Sequence, residues 1–131
     1  MTGETHLPNI LASLDVDVRH GTYAVISRRT PDAAADAVAE ARITEAEGIT
    51  YVVPESFARA RAEPPGFVAA WLSLRVHSAL NAVGVTAAVA GVLAERGIAC
   101  NVLAGHFHDH LLVPAERRDD AIAAIRSLRG S

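Results

Sequence analysis

The chain has 131 residues, of which half are apolar and about a fifth charged, the balance of a folded globular protein and not of a disordered one. A formal net charge of −3 supplies no basic field to neutralise phosphates, which excludes nucleic acid as an expected partner. Cys100 is the single cysteine, so no intrachain disulfide can form and a reducing compartment suits the chain.

The opening Met1-Thr-Gly-Glu-Thr-His has neither the positive region nor the apolar run of a secretory signal, and no apolar stretch is long enough to span a bilayer. The expectation is a soluble cytoplasmic protein with no membrane association. Leu14, Val16 and Val18 alternate with Asp15, Asp17 and Arg19, and Thr22 to Ser27 follows after His20-Gly21, so the spacing predicts two strands in a tight hairpin. Arg28 to Ala41 is charged and Ala-rich. It lacks a large apolar stripe and is read as a mobile connection with room for a short surface helix. Ile43 to Val53 is predicted as one long strand interrupted at Gly48, which would set Glu45 and Glu47 on a shared face. Pro54 ends that strand, Glu55 to Ala62 is a short helix, and Glu63-Pro64-Pro65-Gly66 is a linker between two halves, 1–66 and 67–131.

In the second half Leu72, Leu74 and Val76 alternate with Trp71, Ser73 and Arg75 in a strand, and a polar loop from His77 to Ala82 leads to a helix. Val85, Ala88, Val89, Val92 and Leu93 form one apolar helical face, with Gly97 placed to close it. Ile98 to Leu103 and Phe107 to Val113 are strands, and after Pro114 a last helix carries Ile122, Ile125 and Leu128. The order β-α-β-β-α lacks one strand of the ferredoxin-like pattern. An exposed apolar edge invites aggregation, so an N-terminal strand or a second subunit is expected to pair there.

Three segments of this half carry a resemblance: His77-Ser78-Ala79-Leu80-Asn81-Ala82-Val83-Gly84-Val85-Thr86-Ala87-Ala88-Val89, Gly97-Ile98-Ala99-Cys100-Asn101-Val102, and Ala104-Gly105-His106-Phe107-His108-Asp109-His110-Leu111-Leu112-Val113-Pro114. Together they closely resemble the small stand-alone proteins of the ACT domain family. Glu45-Ala46-Glu47-Gly48-Ile49-Thr50 with Val52-Val53 is similar to the Glu-x-Glu-Gly-[Leu/Ile]-Thr segment of the same proteins. The resemblance implies an α+β, ferredoxin-like ACT fold of two interlocked halves with antiparallel sheets. It also implies a regulatory protein that binds a small molecule, an amino acid in the larger relatives, with no catalysis and no cofactor of its own. The family's ligand loop falls on His77, Ser78, Asn81, Val83 and Gly84, and Asn101 lies in the second matched segment. Where an Asp is common two or three places before the loop glycine, this chain has Asn81.

Physical reasoning supports the same loop. Gly84 permits close backbone approach, and the first N–H groups of the helix can hold a carboxylate. Glu45 or Glu47 could then meet an ammonium group, completing the recognition of a zwitterion. His106, His108 and His110 would share one strand face, the spacing of a transition-metal site, but no further ligand is in view and no metal is expected. His77 beside Ser78, and Cys100 between apolar neighbours, do not build a nucleophile with its base. A homodimer or higher homo-oligomer is expected. The competing reading is a structural module whose sheets assemble with themselves or with an enzyme.

Overall fold

The computed structural model describes residues 7–64, 66–76 and 84–130. The chain forms two compact units: residues 20–70 make one, and residues 1–19 together with 71–131 make the other. The architecture is α+β and ferredoxin-like, with the halves interlocked because the first segment of the chain belongs to the unit built by the last.

The unit of residues 20–70 contains β2 (Tyr23–Arg28), α2 (Ala33–Val38), β3 (Ala41–Glu45), β4 (Gly48–Pro54), α3 (Glu55–Ala60) and the start of β5 (Val68–Arg75). Its strands run in the order β3-β4-β2-β5, the ferredoxin-like arrangement. β2 lies antiparallel to β4, from Tyr23 opposite Pro54 to Arg28 opposite Ile49, and Tyr23 also faces Ala69 of β5. Period-two spacing puts Ala24 and Ile26 of β2 with Ile49, Tyr51 and Val53 of β4, where Ala35 of α2 and Phe57 and Ala58 of α3 cover them. Tyr51 is fully buried, and its hydroxyl accepts the Asp32 N–H at 3.2 Å, so the core carries no unpaid polar group there.

Arg28 ties this unit together. Its guanidinium donates to Asp32 at 2.9 Å and takes Glu63 in a fork, at 2.9 and 3.0 Å, which raises its pKa above the ordinary value.

Residues 28–41 are not simply a connection: α2 forms because the Asp32 side chain caps the Ala34 and Ala35 N–H groups and Ala35 is buried in the core. Ile43 to Val53 is not one strand. It is a hairpin with Glu45 opposite Gly48 and the chain reversing at Ala46-Glu47, so Glu45 and Glu47 do not share a strand face. At Gly48 (φ +152°) an added Cβ would sit 2.4 Å from the Arg28 carbonyl oxygen, which is why the glycine marks a reversal packed against β2 and not a mid-strand bulge.

The expected hairpin between the first two strands does not form. β1 (Asp15–Val18) does not pair with β2; it lies antiparallel to the end of β5, with Asp15 opposite Arg75 and Val18 opposite Leu72. The alternation does mark a strand, but its partner is distant in sequence because burial of Val16 and Leu14 beside β5 outweighs local closure.

The second unit thus contains α1 (Leu7–Ala12), β1, the end of β5, α4 (Val85–Glu95), β6 (Asn101–Ala104), β7 (Asp109–Pro114) and α5 (Arg118–Ser127). Strand order is β1-β5-β7-β6, and β1 supplies the strand that the β-α-β-β-α series lacks. Val85, Val89 and Leu93 of the predicted α4 face are buried, with Ala88 and Val92 half-buried; in α5 Ile125 is buried as predicted, but Ala121 and Ala124 complete the buried face while Ile122 and, just past the helix, Leu128 are half-buried. Gly97 (φ +68°) ends α4 with Ile98 N–H on the Leu93 carbonyl and Gly97 N–H on that of Ala94, a Schellman closure capped by buried Ile98.

Candidate functional site

The site lies in the second unit, at the end where β5 finishes. The register of Asp15 with Arg75 brings the start of β1 beside the end of β5, and a Ser73–His110 contact brings the start of β7 there too. A pocket of about 210 Å³ opens at this end, lined by Ser13, Arg75, Val76 and His108. Ligand sites for drug-sized molecules span roughly 300–1,000 Å³, so this volume suits a metabolite of amino-acid size.

Arg75 is the outward residue closing the β5 alternation, and its side chain is half exposed. Nε donates to Asp17 at 2.9 Å and Nη2 lies 3.4 Å from Asp15, which holds the guanidinium in place and raises its pKa. Asp15 in turn takes the Val16 N–H at 2.8 Å, Arg126 at 3.2 Å and Arg129 at 2.8 Å. The Val16 N–H, then the two arginines, hold its carboxyl below the usual range against the opposing effect of burial. Arg129 also donates to the Leu14 carbonyl at 2.6 Å, so the last turn of the chain clasps the strand supplied by the first.

His110 of β7 meets two residues of β5: Ser73 Oγ is 2.7 Å from its Nδ1, and the Trp71 indole N–H donates to the same nitrogen at 3.3 Å. An indole N–H can only donate, so Nδ1 accepts and the ring proton resides on Nε2. The Arg19 guanidinium stacks 4.3 Å from the centroid of Trp71. Burial first, then repulsion from Arg19 and His108, lower the His110 pKa. Between β6 and β7 the Gly105 N–H bonds the His108 carbonyl at 2.9 Å, closing a turn that presents Phe107 80% exposed with His106 packed edge-on against it. A Cβ on Gly105 would meet that carbonyl oxygen at 2.6 Å.

The predicted site residues fare unequally. His77, Ser78, Asn81 and Val83 lie outside the described residues. Gly84 is the N-cap of α4 in the left-handed region (φ +100°), with no side chain capping the helix among the described residues and its carbonyl accepting the Ala88 N–H at 2.9 Å. Asn101 opens β6, exposed and opposite Leu112. Glu45 ends β3 and accepts a hydrogen bond from the Thr50 hydroxyl, while Glu47 is an exposed turn residue; both belong to the unit of residues 20–70. The three histidines do not share a strand face, because β7 begins at Asp109 and only His110 lies within it. Among the described residues no group of three or more His, Cys, Asp or Glu is placed to hold one metal ion.

Sequence reasoning missed Ser13, Arg75, Val76 and His108 as neighbours. Arg75 was legible as an outward strand position just before the loop, but its meeting with His108 and Ser13 depends on strand order.

A family model described as ACT domain matches residues 67–127, and a second, also described as ACT domain, matches residues 2–70. Among solved structures, a protein of unknown function from Vibrio cholerae, described as a possible transport protein, is 31% identical over 94% of this chain and 95% of that one, with a TM-score of 0.86. The regulatory subunit of aspartate kinase from Thermus thermophilus, in a ligand-free form, shares 16% identity over 86% of this chain and 95% of its own, TM-score 0.56. A protein from Agrobacterium tumefaciens shares 18% identity over 88% and 89%, TM-score 0.65. No curated protein sequence matches the chain.

Proposed function

The chain belongs to the ACT domain family, and from that premise we propose that it is a regulatory binding protein for a small metabolite, an amino acid first among candidates, without catalysis of its own. The observation that carries this reading is the pocket of about 210 Å³ at the end of β5, immediately before the segment that leads to Gly84. It joins a hydrogen-bonding guanidinium, an imidazole and an apolar wall in a volume that fits an amino acid, with the start of α4 at Gly84 following in the chain. His77, Ser78, Asn81, Val83 and Gly84 are proposed to complete the site, with Asn101, Glu45 and Glu47 as further contacts to be tested by substitution.

The sequence modules are proposed as 1–66 and 67–131, with residues 1–19 packed in the unit of the second. No helix among the described residues is long and apolar enough to cross a membrane, and a cytoplasmic location is proposed with it. We also propose a homo-oligomer, a dimer in its simplest form. Val102 on the edge strand β6 and Ile43 on the edge strand β3 are each about two-fifths exposed, apolar side chains that a second copy would cover. Light scattering would read a multiple of the 13.8 kDa chain mass.

A thermal-shift screen with the common amino acids tests the main reading. A ligand present at a hundredfold excess over its Kd stabilises by about 2.7 kcal/mol, visible as a Tm rise of several degrees. A flat response to every amino acid, with other small metabolites equally silent, would leave only the assembly role.

A further inference from the structure

We propose that the ligand is acidic: beyond any amino-acid backbone it carries a second anionic group, a carboxylate or a phosphate, that seats on Arg75 and His108. This rests on the pocket being the ligand site and goes further, since an amino-acid sensor could equally take an apolar, neutral or cationic side chain.

The charges around the pocket favour the anion. Arg75, His108 and Ser13 are the polar residues that line it, the first two offering N–H donors, and no Asp or Glu lines it among the described residues. The carboxylates nearest Arg75 are already committed. Among the described residues Asp15 and Asp17 between them face Arg75, Arg126 and Arg129, so Asp15 divides its charge over three guanidiniums and does not neutralise Arg75 alone. Both aspartate contacts use Nε and Nη2 of Arg75, leaving the N–H groups of Nη1 without an acceptor among the described residues. A guanidinium held from behind by carboxylates is already oriented, so less side-chain entropy is lost when an anion docks. Arg offers a planar carboxylate or phosphate paired hydrogen bonds, and the exposed His108 adds a donor from the β7 side. Val76 supplies the apolar wall against which the short chain of such a ligand would lie. A cationic side chain would instead meet like charge.

Glutamate and glutamine share a shape and differ in this one charge, so they separate the proposal from size or backbone recognition. Calorimetry at low salt, with the full chain, should give glutamate at least tenfold tighter binding than glutamine, and O-phosphoserine will tell whether phosphate is preferred to carboxylate. Arg75→Gln should collapse the glutamate-to-glutamine ratio toward one. Because that substitution also removes the Asp17 partner and one partner of Asp15, His108→Gln serves as the second variant. His108 is exposed, so its replacement leaves the fold intact, as circular dichroism would confirm, and should lower the ratio several-fold. Equal affinities for glutamate and glutamine, or a ratio unmoved by His108→Gln and Arg75→Gln, overturns the acidic ligand while leaving an amino-acid sensor standing. Silence from glutamate, glutamine, phosphoserine, leucine and lysine alike overturns the binding reading itself, and this proposal with it.

Discussion

Replacing Gly84 by Ala probes the start of α4 directly. Gly84 holds φ +100°, a conformation that costs a residue with a Cβ about 1–2 kcal/mol. The new methyl group would also stand 3.1 Å from Leu7 Cδ2, the far end of a flexible side chain, adding up to about 1 kcal/mol before Leu7 moves aside. Against this, Ala narrows the unfolded ensemble and returns about 0.4–1 kcal/mol. The balance is a net loss of about 0.5–2 kcal/mol, or roughly 2–8 °C in Tm for a chain of this length. Urea unfolding of the wild type, Gly84→Ala and Gly84→Asn would measure it. Asn tolerates the left-handed region better, so it should lie between the other two. A fold carrying Ala that is as stable as wild type would refute the assigned backbone conformation. Gly84→Val adds a branched side chain at the same strained position, so its effect on binding can be interpreted only beside its effect on stability.

Gly48→Ala should be more damaging than Gly84→Ala, by about 2–5 kcal/mol, because its Cβ meets the Arg28 carbonyl at 2.4 Å, and backbone cannot yield as Leu7 can. Denaturant melts of both variants side by side check the ranking. Stability should also depend on His110. In the folded chain burial, Arg19 and His108 hold its pKa below the ordinary value of 6.5, so the folded state favours the neutral ring. The contribution is complete above about pH 6.5 and is lost as pH falls below it toward the folded value. His110→Gln should flatten that limb of a Tm-against-pH curve, and an unchanged curve would remove His110 as its cause.

Much of the second unit was legible because its signals are local. The i, i+3, i+4 spacing from Val85 to Leu93 and the Gly97 stop are helix physics that no distant contact overrides. The alternation from Leu72 to Val76 was equally plain. What failed were statements of partnership. Val16 alternates with its neighbours whether it pairs with β2 or β5, and nothing in residues 14–27 reveals that Arg75 is the residue opposite Asp15. Gly48 reads as a bulge or a reversal until the packing of Arg28 behind it is known. α2 escaped because it is six residues long with Ala35 as its buried anchor, and its stability comes from Asp32 and the core and not from an apolar stripe. Of the candidate pocket, Arg75 was legible as an outward strand position, whereas its meeting with His108 and Ser13 required the strand order β1-β5-β7.

The most direct test of the central claim is a nuclear magnetic resonance titration of isotopically labelled protein with glutamate, following the backbone amides. Small-molecule recognition at the end of β5 predicts saturable shifts concentrated at Ser13, Arg75, Val76, His108 and Gly84, with β3 and the Ala46-Glu47 turn unmoved unless Glu45 or Glu47 joins the site. Shifts absent at Arg75 and His108 under saturating ligand, or confined to residues far from them, would contradict it.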